Sequence, residues 1–208
     1  MILLKCQKVN LMIKFFSDKV SYFFSSKQII HENDLEICSY GLQILFSLCI
    51  NTIISLLIGL LLNKVIYTII FLISFCSIRQ FSGGFHARSN RLCIIAFISI
   101  FSLSMFWGIE LNKLNTLPLC VMLISTLSFL CIYLLAPVCH INNPLDKNRY
   151  KKNKFFSRVI STILLIIIFI GCIYSPIYDC IIYISSALFW VSLLLITQIF
   201  INIKNKEL

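Results

Sequence analysis

The chain has 208 residues, of which 59% are hydrophobic and only 12% are charged, and its formal net charge is +10. A soluble domain is about one quarter charged, so this composition excludes an ordinary soluble domain and indicates a protein whose side chains mostly face lipid. In such an apolar chain the positive charge is explained by inner loops and anionic lipid, and no basic run interleaved with aromatic residues predicts nucleic-acid binding.

The N-terminal region, residues 1–36, begins with an amphipathic pattern rather than with a signal peptide and its small-residue cleavage site. Apolar residues recur every three or four positions, with polar residues on the other face: Val9, Met12, Ile13, Phe16, Val20 and Phe23 against Asn10, Lys14, Ser17 and Asp18. This pattern predicts a helix that lies in the membrane interface. A short soluble helix packed on the rest of the protein is the alternative.

Six apolar segments follow, at 39–62, 65–78, 92–108, 117–137, 159–175 and 180–202. A spanning helix needs about 20 apolar residues, which the first, fourth and sixth segments provide, whereas the second segment is short. We therefore expect an all-α, polytopic membrane protein with about six membrane helices, forming one domain over residues 1–208. Four spans plus re-entrant pieces are the alternative architecture.

The placement of Lys and Arg predicts the orientation of these spans. If the N-terminus is cytoplasmic, the inner side holds the connections 79–91 and 138–158 and the C-terminal tail. All Lys and Arg residues except Lys64 and Lys113 then lie on that side, as the positive-inside rule requires. We expect a multi-pass protein with both termini in the cytoplasm.

The connection 79–91 contains the chemistry of the chain, because His86 precedes Cys93 by seven residues and a glycine pair precedes His86. A cysteine nucleophile and a histidine base must approach within about 3 Å, but seven residues of helix separate two side chains by about 10 Å. A helix must therefore begin between them, and Ser89 and Asn90 are good N-cap residues. Gly83 and Gly84 would allow the preceding chain to fold back.

A helix start at this point would place Cys93 in the first turn. The positive end of the helix, together with Arg79, Arg88 and Arg91, would favour the thiolate, and His86 would take the proton. The free amides of the first turn would stabilise an oxyanion. The alternative is a solvated histidine in a basic loop and a cysteine that only packs, since the chain has ten cysteines.

Two stretches of this sequence resemble a known family. The first is Arg79-x-x-x-Gly83-Gly84-x-His86-Ala87, followed by Cys93. The second is Leu135-Ala136-Pro137-Val138, followed by Asn143-Pro144-Leu145 and the basic run 147–154. Together with the chain length and the number of spans, they are similar to the accessory gene regulator protein B (AgrB) family, and the resemblance covers most of the chain.

The resemblance implies a membrane cysteine endopeptidase, a hydrolase of quorum sensing in the plasma membrane of a Gram-positive bacterium. Such proteins remove the C-terminal tail of the propeptide AgrD and close the remaining peptide into a thiolactone or lactone. The implied catalytic residues are His86 and Cys93, and Arg79 and Gly84 are implied to be necessary. The implied partners are an AgrD-like propeptide and the bilayer, with a homodimer as an option and no nucleic acid.

Neither a metal nor another cofactor is expected, because the sequence has no H-E-x-x-H motif and no P-loop. Five basic residues of the second connection form a candidate docking set for an acidic propeptide tail: Lys147, Arg149, Lys151, Lys152 and Lys154. A topology signal and lipid anchor is the other interpretation of these charges. For the whole chain, a small transporter or exporter and a non-catalytic signalling scaffold are the alternative functions.

Overall fold

The computed structural model describes residues 2–84, 90–113, 118–138, 146–173 and 178–204. Within them lie seven α-helices and a short 3₁₀ turn at Glu32–Asp34. The helices are α1 (Ile2–Ser26), α2 (Leu35–Leu61), α3 (Val65–Ser82), α4 (Asn90–Lys113), α5 (Pro118–Leu135), α6 (Lys147–Ile173) and α7 (Tyr178–Lys204). Helices α2 to α7 are each long and apolar enough to cross a membrane. The prediction of an all-α membrane protein with six spans is therefore confirmed.

Helices α3 and α6 extend beyond the apolar segments that predicted them. Helix α3 continues through Ser82, so the short second segment becomes a helix of 18 residues. Helix α6 begins at Lys147, so the expected loop 138–158 contains its first three turns. The Asp146 carboxylate accepts a hydrogen bond from the amide of Lys147 at 2.8 Å, and no Gly or Pro interrupts residues 147–158. Hydropathy alone did not predict this start, because Lys and Arg lower the hydropathy of a segment although both are good helix formers.

The chain divides into two compact units. The first unit contains α1, α2 up to Leu57 and α4 up to Ser99. In α1 the buried side chains recur every four residues, at Ile13, Ser17 and Ser21, while Phe16 and Phe23 are exposed. Helix α1 therefore buries a largely polar stripe and presents aromatic side chains outward, as a lipid-facing helix requires. The helix is confirmed, and its position in the membrane interface stays a prediction.

The second unit contains α3, α5, α6 and α7, with the end of α2 from Ile58 and α4 from Ile100. Helix α7 packs against α3, α5 and α6 and supplies much of the buried core, including Tyr183, Leu188 and Leu195. Two serine pairs join its helices, because the hydroxyls of Ser125 and Ser185 lie 2.7 Å apart and Ser186 donates to Ser104 at 3.0 Å. Such pairs satisfy polar groups that lipid cannot satisfy.

The two ends of this second unit differ in charge. At one end the Lys64 ammonium lies 4.7 Å from the centre of the Tyr67 ring, and the Tyr67 hydroxyl donates to Asp179 at 3.4 Å. At the other end lie the end of α3, the end of α5 and the basic start of α6. The sequence prediction of one strongly basic side agrees with this arrangement, and the functional candidates of this unit lie at that basic end.

Candidate active site

The ends of α3 and α5 are joined by backbone hydrogen bonds. The amide of Val138 donates to the carbonyl of Ser82 at 3.0 Å, and the amide of Gly84 donates to the carbonyl of Val138 at 3.4 Å. Gly83 and Val138 thus form an isolated parallel bridge. The two stretches that carry the family resemblance, Gly83-Gly84 and 135–138, are therefore direct neighbours in the folded chain.

Arg79, in the last turn of α3, contacts the same bridge. Arg79, Gly83, Gly84 and Val138 together form what we call the Arg79 corner. Its Nη1 donates a hydrogen bond to the carbonyl oxygen of Gly83, four residues along the chain. A Cβ atom added to Gly84 would overlap Arg79 Nη1 and would lie 3.3 Å from Leu195 Cδ2. A Cβ atom added to Gly83 would overlap the Val138 carbonyl oxygen. The sequence-predicted residues Arg79, Gly83 and Gly84 are thus brought into one tightly packed corner.

Both glycines have backbone angles that other residues rarely adopt, with φ of +69° at Gly83 and +104° at Gly84. The sequence suggested that this pair gives the chain freedom to fold back. The structure shows a more specific reason for glycine, since the conformation and the lack of space both exclude a side chain. The corner is packed rather than loose.

Cys93 is the fourth residue of α4, whose first residue is Asn90. Cys93 therefore lies in the first turn of α4 as the structure describes it, and the start of that helix between His86 and Cys93 stays a prediction because residues 85–89 lie outside the described ranges. The Cys93 side chain is half-buried. His86, Arg88 and Ser89 lie outside the described residues, so the dyad and the supporting roles of these residues stay predictions.

The basic residues of the candidate docking set lie on the first two turns of α6. Lys147, Arg149, Lys151 and Lys152 are exposed, and Lys154 is half-buried. This part of α6 is attached to α3 by stacking of Phe156 on Phe81, whose ring centres lie 5.0 Å apart. The docking set is therefore held at the same end of the unit as the Arg79 corner.

Helix α7 contributes a residue that sequence reasoning missed. Gln198 is 1% exposed, and its Nε2 donates to Asn202 Oδ1 at 2.8 Å, while no hydrogen-bond partner reaches its Oε1 among the described residues. It follows Leu194 and Leu195, which contact Gly84, by about one helical turn, so it shares their face. The available signal was an amide side chain inside the apolar segment 180–202.

Comparison with known proteins supports the same family as the two stretches of resemblance in the sequence. The family model of accessory gene regulator B matches residues 17–202. AgrB-like protein 1 of Clostridium perfringens (strain 13 / Type A) is 33% identical over 141 residues, which are 67% of this chain and 70% of the relative. Accessory gene regulator protein B of Staphylococcus aureus (strain MRSA252) is 33% identical over 100 residues, 48% of this chain and 52% of the relative. No solved structure matches the chain significantly. This membrane protein belongs to the accessory gene regulator B (AgrB) family.

Proposed function

We propose that the protein is a cysteine endopeptidase of quorum sensing that removes the C-terminal tail of an AgrD-like propeptide and promotes its cyclisation. The observation that supports this most is the corner formed by Arg79, Gly83, Gly84 and Val138. It joins two separate stretches of family resemblance and holds the start of the connection that carries His86. Sites that position reacting groups need such rigid support.

The first step forms an acyl-enzyme. His86 takes the proton of the Cys93 thiol, and the thiolate attacks the carbonyl carbon of the scissile peptide bond. A sulfur–carbon bond forms, the carbon–nitrogen bond breaks, and the proton passes to the amine of the departing tail. The start of α4 is suited to this step, because the positive end of a helix favours both a thiolate and an oxyanion.

The second step transfers the acyl group to the peptide itself. A cysteine thiol of the bound propeptide attacks the Cys93 thioester, forms the thiolactone and restores the Cys93 thiol. One thioester replaces another, so no nucleotide hydrolysis is needed. Water is the competing nucleophile, and a site at the membrane boundary limits its access. A serine hydroxyl in place of the substrate thiol would give the lactone.

Substrate recognition uses the basic end of the protein. The docking set on α6 attracts an acidic propeptide tail, with Arg88 and Ser89 positioning the scissile segment beside His86. The proposed reaction takes place on the cytoplasmic side of the plasma membrane, with both termini in the cytoplasm, where ribosomally made propeptides are available; the positive-inside distribution of Lys and Arg supports this orientation.

The test is co-expression of the full chain with AgrD-like propeptides that carry an N-terminal tag, followed by mass spectrometry of the tagged product. Wild type is compared with Cys93→Ala, with His86→Ala and with Cys131→Ala, which removes a half-buried cysteine of α5 as a matched control. We expect tail removal by wild type and Cys131→Ala only, with an acyl-enzyme mass on Cys93. Tail removal by correctly inserted Cys93→Ala protein would contradict the covalent mechanism.

Selective labelling separates the peptidase from a scaffold or an exporter. A nucleophilic Cys93 should react with iodoacetamide faster than the other cysteines of the folded protein, and His86→Ala should slow that reaction. A scaffold or exporter requires no such difference. Peptide mapping of the labelled protein measures it without any knowledge of the substrate.

A further inference from the structure

A groove between the end of α5 and the start of the apolar part of α6 lies apart from the Arg79 corner. It has a volume of about 430 Å³ and is lined by Tyr133, Phe155, Arg158, Val159, Thr162 and Ile163. Its walls are mostly apolar, and the Thr162 hydroxyl is already bonded to the carbonyl of Arg158 at 2.8 Å. Arg158 is the one charged residue in this lining.

Arg158 is held in a fixed position on this groove. Its Nε donates to the carbonyl of Tyr133 at 3.2 Å, and its guanidinium lies 4.2 Å from the centre of the Tyr133 ring. The Tyr133 carbonyl belongs to the last turn of α5, where carbonyls lack partners within the helix. Nε serves this carbonyl, and among the described residues none accepts a hydrogen bond from the two terminal nitrogens.

Arg158 lies where the basic start of α6 meets its uncharged part, which is where a spanning helix is expected to pass from headgroups into hydrocarbon. Basic residues precede it, and residues 159–173 contain no charged side chain. Lys147, Lys151, Lys154 and Arg158 follow one another at spacings of four, three and four residues, which places them on one face of the helix. Arg149 lies about 180° away from that stripe.

We propose that this groove binds an anionic phospholipid. The phosphate is recognised by the terminal nitrogens of Arg158, and one acyl chain lies along Val159 and Ile163. A guanidinium presents paired donors to phosphate oxygens, while the lysines of the stripe add positive potential that favours lipids with net negative charge. The site is independent of the proposed peptidase chemistry. Its phosphate-binding residue, Arg158, lies outside the candidate docking set, whereas the three lysines of the stripe belong to that set.

The experiment uses the full chain, purified in detergent and delipidated, with dioleoyl phosphatidylglycerol or dioleoyl phosphatidylcholine added back. Native mass spectrometry measures the bound lipid. We expect wild type to bind phosphatidylglycerol about five- to tenfold more tightly than phosphatidylcholine. Arg158→Gln should remove most of this preference, and Arg158→Lys, which keeps the charge, should retain part of it. Arg149→Gln removes the same group from the opposite face and should change the affinity less than about twofold.

Four results would overturn the site. Equal affinity of wild type for the two lipids would remove the anionic preference, and this arm requires no variant to fold. Equal losses of affinity for phosphatidylglycerol in Arg149→Gln and Arg158→Gln would indicate diffuse attraction to the whole basic surface. Stoichiometric displacement of the phosphatidylglycerol by an acidic peptide would assign the groove to peptide, whereas displacement by millimolar inorganic phosphate would assign it to free phosphate. Circular dichroism of each variant establishes that the helices are intact.

Discussion

The amide of Gly84 donates to the carbonyl oxygen of Val138 across 3.4 Å, which ties the second residue after α3 to the third residue after α5. This contact joins the two connections that carry the family resemblance. It also holds the backbone of Gly84, two residues before His86, in a fixed position, from which the connection to the proposed active site begins. Several consequences can be measured.

Replacing Val138 by proline removes the amide that donates to Ser82 at 3.0 Å. We expect propeptide cleavage to fall about 100-fold, because displacing a positioned group by about 1 Å has effects of that size. Val138→Ala keeps the amide and should cleave at nearly the wild-type rate. Cleavage is measured on purified protein of equal membrane insertion, and equal activity of the two variants would show that the bridge has no role.

Gly84→Ala should disturb the corner more directly, because the position has φ of +104° and a Cβ atom would overlap Arg79 Nη1. We expect a loss of about 1–3 kcal/mol in the free energy of unfolding, together with strongly reduced cleavage. The control is Gly41→Ala in α2, where a Cβ atom meets nothing within 4 Å. That variant should be as stable as wild type or slightly more stable. The midpoints of denaturant-induced unfolding in detergent report the stabilities of the two variants.

Arg79 should not be replaceable by lysine. Its Nη1 bonds the Gly83 carbonyl, and the planar guanidinium offers several donors in fixed directions that an ammonium group does not reproduce. We expect Arg79→Lys to reduce kcat about tenfold or more, close to the effect of Arg79→Gln. Full activity of the lysine variant, with the glutamine variant inactive, would indicate that charge alone matters.

The docking set should affect KM rather than kcat. Lys152 is exposed on the second turn of α6, so Lys152→Glu should weaken binding of an acidic propeptide tail and raise KM about fivefold. Lys204→Glu makes the same charge change at the exposed end of α7 and is the matched control. Initial rates over a range of propeptide concentrations give both constants. An equal rise in KM for the two variants would contradict a docking role specific to α6.

Gly108 and Tyr183 test the packing of α4 on α7 within the second unit. A Cβ atom on Gly108 would lie 2.6 Å from Tyr183 Cε1 and Cζ and 2.8 Å from its hydroxyl oxygen. We expect Gly108→Ala to lower the free energy of unfolding by about 1–3 kcal/mol, because the buried ring has no space to move. Tyr183→Phe should be neutral or stabilising, since the buried hydroxyl has no hydrogen-bond partner among the described residues.

The amino-acid sequence by itself determined the class of the protein and indicated that Cys93 lies near one end of a membrane helix. Its apolar segments predicted six membrane helices, because hydropathy reports directly whether a segment prefers lipid to water. Local capping chemistry at Ser89 and Asn90 predicted that Cys93 would lie in the first turn of a helix, and the structure describes α4 from Asn90 onward. Both are properties of short stretches of chain.

Only the tertiary structure decided which parts of the second unit meet. Lipid is as apolar as the helices, so hydrophobicity does not specify which helix faces pack, and close fit and hydrogen bonds decide instead. The pairing of Gly84 with Val138 and the contact of Gly84 with α7 depend on that fit. The hydrogen bond from Arg158 to the Tyr133 carbonyl depends on the same fit, since 25 residues separate the two along the chain. The burial of Gln198 likewise depends on which face of α7 is packed.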